Sequence, residues 1–369
     1  FFSWCRGTAR RHRRSQLRPS AMAVEGAAVT CAEVLGSVFL AEKDSSGDVM
    51  LTWSYPTSDP DTDRHVLMRS EAEMVRPDAS QGAWTRYEGA WFYMVTLPAP
   101  GLAKVSAVTV TVQASEFHPE KFLGISAALA KTYLAGGTPV RILEGYLSVF
   151  TVGKFEGFSE KGFQAPQQAL LDSPVAALLS SFGEHAVVLW AAVLMKKRVL
   201  VFSEDRAILQ ATLRAIPALV WHRHDWDVLR PYCLDDEQEW HELAESRVYI
   251  AGVTESVAGR DSYWDVFVNV PAQTVEVNGL AKQDFVMTTV HKEMAGVMAR
   301  AVEEGLSDAD CITAMEENMA GLRSKLDVLA ANEESGRLSL SALQEQLPSG
   351  ALAAFLFAVA LAEGLADAE

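Results

Sequence analysis

The segment LMKKRVLVFSEDRAILQATLRAIPALVWHRHDW, residues 194–226, carries helix, strand and helix in one run. Its first residues close an apolar helix predicted over His185–Lys196. The basic run Lys196-Lys197-Arg198 then offsets the negative end of that helix's dipole. Arg198–Phe202 (RVLVF) is a short, continuous apolar strand, the pattern of a strand covered on both faces. Ser203 is the expected N-cap of a helix over Glu204–Ile216. Another helix is predicted upstream over Val175–Phe182, and one downstream over Asp236–Glu245. Strands follow over Val248–Val253, Trp264–Val270 and Thr274–Val277. Helices alternating with apolar strands specify a mostly parallel α/β sheet.

The N-terminal part reads differently. Val34–Leu40 and Val49–Tyr55 are strand-like and flank the turn EKDSSGD (42–48), which makes a hairpin closed by Pro56. Asp63 can cap a helix over residues 64–75. Trp91–Leu97 is aromatic and β-branched. In Val105–Gln113, Val108, Val110 and Val112 alternate with Thr109, Thr111 and Gln113, a period of two. Helices are predicted over Pro119–Ala135 and Pro139–Val149, broken at Gly136-Gly137. A meander sheet with helices on one face is an α+β module, and the order of elements resembles a longin domain.

The tail from Leu280 is helical. Ile312, Met315, Met319, Leu322, Leu326 and Leu329 step by three and four, an a/d stripe. Such a stripe serves either to pack a helix on its own domain or to dock a partner helix. The expected division is residues 22–152 as an N-terminal lobe, 153–172 as a linker, 173–279 as a central α/β lobe and 280–369 as a helical end. Residues 1–21 are Arg-rich and acid-free. We read them as an extension outside the fold, with Met22 as the natural start, over a transit peptide or a basic arm.

The formal net charge is −16, and the six Arg among residues 1–21 make the rest of the chain more acidic still. Such a surface repels phosphate backbones and anionic lipid, which argues against nucleic acid as a ligand. The apolar runs 186–195 and 351–362 fall short of a membrane span. The four Cys (Cys5, Cys31, Cys233 and Cys311) form no CxxC and read as reduced, buried thiols of a cytosolic protein.

The sequence contains no GxxxxGK[ST], GxGxxG, GxSxG or HExxH motif, so NTPase, dinucleotide, hydrolase and zincin chemistries lack support. His222, His224 and His241 could ligate zinc only with unusual spacing, and no metal or other cofactor is expected. The cluster Trp221, His222, Arg223, Asp225 and Trp226 reads as a structural corner of aromatic bulk with hydrogen-bonded polar tips. Trp53 and Tyr55 share one face of their strand, and Tyr55 lies at its end, where a ring can anchor an interface. Both also suit the core of the lobe.

The segments GSVFLAEKDSSGDVMLTWSYP (36–56), AWFYMVTL (90–97), EFHPEKF (116–122), LMKKRVLVFS (194–203), LRAIPALVWHRHDWDVLRPY (213–232), YIAGV (249–253), DVFVNV (265–270) and VHKEM (290–294) resemble the DENN-domain family in order and spacing. The resemblance implies an α/β (α+β) fold in two lobes: a longin-like N-terminal lobe, then a larger α/β lobe with a central sheet flanked by helices and a helical C-terminal end. It implies a guanine-nucleotide exchange factor that binds GDP-loaded Rab and stabilises its nucleotide-free state, with no chemical active site of its own. It points further to a Rab of the Rab27 type, to late endosomes, and to coiled-coil subunits of the Commander endosomal recycling assembly. The competing reading is a non-catalytic scaffold of such an assembly, with the Ile312–Leu329 stripe as its docking face. Tyr55 and Trp53 are the residues we nominate for GTPase contact.

Overall fold

The computed structural model describes residues 30–75, 82–163, 172–223, 226–255, 257, 259–333 and 335–367. The calls on residues 1–21, His224 and Asp225 lie outside them, as do residues 164–171 of the expected linker.

The apolar alternation of the first half builds a five-stranded antiparallel sheet. After a single helical turn, α1 (Cys31–Val34), come β1 (Leu35–Asp44) and β2 (Val49–Tyr55), then α2 (Pro60–Met74), β3 (Ala83–Tyr87), β4 (Ala90–Pro98) and β5 (Val105–Ala114). The order is β2-β1-β5-β4-β3, so the sheet is not a simple meander: the long β1 pairs with both β2 and β5. Helices α3 (Pro119–Gly136) and α4 (Pro139–Val152) cover one face, where Val108, Val110 and Val112 meet Phe122, Ile125 and Leu129. The opposite face is covered as well. Thr109 and Thr111 are buried, Thr109 bonded to Thr96 at 2.6 Å, and α2 packs Val66 on Phe39 and Phe92. Asp59, with Pro60 at the first position, caps α2 one turn before the expected Asp63.

The expected linker begins as structure. Gly153 ends α4 in the left-handed region, and β6 (Lys154–Phe155) turns back onto β7 (Phe158–Ser159). Glu156 and Gly157 both take positive φ there, as a two-residue hairpin turn requires.

The second lobe is built on the strand β8 (Val199–Phe202). It sits at the centre of a sheet ordered β12-β11-β8-β10-β9, in which β9 (Leu229–Cys233), β10 (Ile250–Val253), β8 and β11 (Val266–Asn269) run parallel and β12 (Thr274–Val277) antiparallel. Helix α5 (Val175–Phe182) continues through a 3-10 turn into α6 (Ala186–Leu194). Together Val175–Leu194 is long and apolar enough to cross a bilayer, longer than the sequence reading allowed; here most of it is core, Trp190 among the fully buried residues. Helix α7 (Arg206–Ala218) starts two residues later than expected because Asp205, not Ser203, accepts from the Ile208 amide. Gly252 in YIAGV lets α7 lie against β10: a Cβ there would collide with Leu213 and stand 3.0 Å from the Pro231 carbonyl. Helix α8 (Glu237–Glu245), expected over Asp236–Glu245, has Asp236 as its N-cap. The helical end comprises α9 (Thr289–Glu303), α10 (Asp308–Ala331), α11 (Leu340–Gln346) and α12 (Gly350–Glu363).

Candidate functional site

The register places Trp53 opposite Leu40 and Tyr55 opposite Val38, on the outermost strand of the first sheet. The two rings stack at 6.5 Å, and Tyr55 meets Tyr146 of α4 edge-on at 5.9 Å. Trp53 packs partly buried against the core, whereas Tyr55 is 39% exposed. Tyr146 is itself anchored, its hydroxyl donating to the Gly36 carbonyl at 2.5 Å. Tyr55 is therefore an accessible ring held on a rigid aromatic base at a strand edge.

The signature cluster separates into structural roles. His222 and Arg223 converge on Glu363 at the end of α12, at 2.9 Å and 2.5 Å. Arg223 also donates to the Val193 and Leu194 carbonyls, which closes the C-terminus of α6. Burial alone pushes the Glu363 carboxyl up, but the His222 and Arg223 bonds bring it down to about 2. Trp226 packs at a tilt on Phe117, centroids 4.4 Å apart, a contact from the second lobe to the first. Trp221 packs against the main core. His241 lies exposed on α8, paired with Glu245, remote in role from His222. Among the described residues no group of three His, Cys, Asp or Glu is placed to hold a metal.

The a/d stripe of α10 faces inward, which corrects its reading as a partner surface. Ile312, Met315, Met319, Leu322 and Leu326 are buried in the main core, Leu329 partly so, and the Trp190 indole donates to the Met319 sulfur at 3.3 Å. Apolar stripes at this spacing bury wherever a complementary face exists, and α5, α6 and α9 supply one.

The lobe junction is a site that sequence reasoning missed. Arg69 of α2 donates to Glu239 of α8 at 2.9 Å, to the Tyr232 carbonyl and to Thr85. Arg206 pairs with Glu73, and Arg214 with Glu120. Gln210 donates to the Trp84 carbonyl at 2.7 Å, and Arg86 pairs with Asp227 at 2.5 Å. Burial raises the pKa of Glu73 and of Glu239, with their arginines opposing it. In Glu120 the bonds from His118 and Arg214 outdo burial and hold the carboxyl at about 2. Beside these pairs a cleft of about 550 Å³ opens between α2 and β3 on one side and β9 and α8 on the other. Its walls include His65, Arg86, Arg230 and Cys233. Burial pushes the Cys233 thiol up to about 12, so it is inert. The ion pairs join residues more than 90 positions apart, and no local pattern announces them.

Comparison with known proteins places this geometry. DENN domain-containing protein 10 of zebrafish (Danio rerio) is 31% identical over 342 residues, covering 90% of this chain and 98% of its own length. The human (Homo sapiens) protein of that name is 31% identical over 356 residues, covering 91% and 98%. The chain belongs to the DENN domain-containing protein 10 family. The Dictyostelium discoideum member is 28% identical over 358 residues. A family profile described as SPA, stabilization of polarity axis, matches residues 172–279, which span α5 to β12. The DENN fold is thus realised as an antiparallel lobe and a mostly parallel lobe, joined by buried arginine–carboxylate pairs. Of the family-like segments, YIAGV forms β10, DVFVNV forms β11, and PALVWHR leads from α7 to the Glu363 clamp.

Proposed function

We propose that the chain is a guanine-nucleotide exchange factor for a Rab GTPase, one of the Rab27 type, working at late endosomes. Its likeness to DENN domain-containing protein 10 over nine-tenths of its length carries this reading. The activity is differential binding: the protein holds the nucleotide-free GTPase more tightly than the GDP-bound one and so drives release. Tyr55 on its Trp53 base is the proposed contact, an aromatic anchor at an accessible edge. Coiled-coil subunits of the Commander assembly are the proposed recruiting partners, which places the cytosolic protein on endosomes. The scaffold alternative keeps the acidic surface as its motive but not the α10 stripe, which is buried.

The test is capture of nucleotide-free Rab. The full chain should co-elute with a Rab stripped of nucleotide by chelation, and added GTP should dissolve the complex. Co-elution that is indifferent to nucleotide would support a scaffold instead.

A further inference from the structure

Two guanidinium groups from different lobes meet on the wall of the inter-lobe cleft. Arg86 of β3 and Arg230 of β9 both donate from Nη1 to the Asp227 carbonyl oxygen, at 2.6 Å and 2.8 Å. Among the described residues one carboxylate, Asp227, forms an ion pair here. Asp227 takes Arg86, whereas among the described residues Arg230 has no carboxylate oxygen within 4 Å, its other bond going to the Leu229 carbonyl. Burial, and then the neighbouring Arg86, lower the Arg230 pKa, against an opposing pull from Cys233, Asp227 and Glu242. Two further nitrogens on the cleft wall are buried without a partner, Arg86 Nε and His65 Nε2. Carboxylates outnumber cations on the exposed lining: Asp61, Glu88 and Glu242 make no ion pair among the described residues, beside Arg64, which donates to Gln238.

We propose that this cleft binds a small zwitterion. Its oxyanion seats against Arg230 and Arg86, and its ammonium group meets the exposed carboxylates. Among the described residues the two guanidinium groups share one paired carboxylate, which suits an added oxyanion. The exposed carboxylates repel polyanions and attract an amine. The cleft volume suits a small molecule. Because Arg86 and Arg230 belong to different lobes, such a ligand would hold the lobes together. The inference stands on the cleft alone and is independent of the exchange reading.

The probe is O-phosphoethanolamine, added to the full chain at constant ionic strength and followed by thermal unfolding and by phosphorus NMR line width. At roughly tenfold excess over its Kd it should raise Tm by about 2 °C. Inorganic phosphate, lacking the amine, should need a higher concentration. Ethanolamine and inositol hexakisphosphate should do less than either. Arg230→Gln should abolish the shift and the line broadening, while Arg300→Gln, on exposed α9 surface, keeps both. Circular dichroism identifies a misfolded Arg230→Gln, in which case Arg230→Lys, which retains the charge but not the fork, should bind more weakly. Co-sedimentation with phosphatidylethanolamine vesicles, together with soluble binding, assigns the ligand to a lipid headgroup; soluble binding alone assigns a free metabolite. No shift with O-phosphoethanolamine, an equal shift with ethanolamine or inositol hexakisphosphate, or a shift that survives Arg230→Gln in folded protein overturns the proposal.

Discussion

Arg69 and Glu239 meet at 2.9 Å across the lobe junction, with side chains only 5% and 16% exposed. An ion pair this buried contributes little net stability, but removing one partner strands the other charge. Arg69→Ala should therefore destabilise the protein by about 3–5 kcal/mol. The double variant Arg69→Met with Glu239→Leu should recover most of that loss in thermal unfolding. A double variant as unstable as Arg69→Ala would show that the pair itself is required.

Acid should begin to destabilise the protein well above the carboxylate range. His65 lies between Tyr87 and Phe92, and burial, with Arg69 beside it, lowers its pKa from 6.5 to about 2. Burial likewise brings His291 to about 4. The unfolded chain takes up these protons below pH 6.5 and the folded chain does not. Stability is therefore full above 6.5 and falls below it, by up to about 1.4 kcal/mol per pH unit for each histidine. His65→Phe keeps the ring packing and should halve the slope between pH 6 and 5 in urea titrations. An unchanged slope would contradict the assignment.

The Glu363 clamp acts at lower pH. Its carboxyl is depressed to about 2, so its contribution is present above the unfolded value near 4.5 and is lost as pH falls towards 2. Protection of the α12 amides, taken relative to their intrinsic exchange rate, should fall through that window. Glu363→Gln should be less protected already at neutral pH, with little further change on acidification.

The α10 stripe behaves as core in this account. Leu326→Ala should lower stability by about 2–5 kcal/mol, as expected for a fully buried leucine. A variant as stable as the parent would return the stripe to the role of docking surface.

Much of the fold was legible because local pattern and tertiary demand agree. Val49–Tyr55, Val175–Phe182 and Thr274–Val277 fall where alternation and apolar runs place them. Besides the short β6–β7 hairpin in the expected linker, two strands at the lobe junction were hidden. Pro231 demotes LRPYC as a strand, yet β9 lies at the sheet edge, where a missing amide is tolerated. The short AWTRY strand, β3, is likewise an edge. These two edges face each other across the junction, so the cleft and its arginines fell in the two segments that sequence pattern describes least well. The inward turn of the α10 stripe was equally out of reach, since period alone does not tell a core face from a partner face.

The central claim is exchange activity, and release of fluorescent GDP from purified Rabs tests it most directly. With the full chain, one or two Rabs, a Rab27 type among them, should lose GDP faster. Tyr55→Ala should slow that release about tenfold, as loss of an interface anchor does, with Tm nearly unchanged. Equal release with and without folded protein across the whole panel would contradict the account.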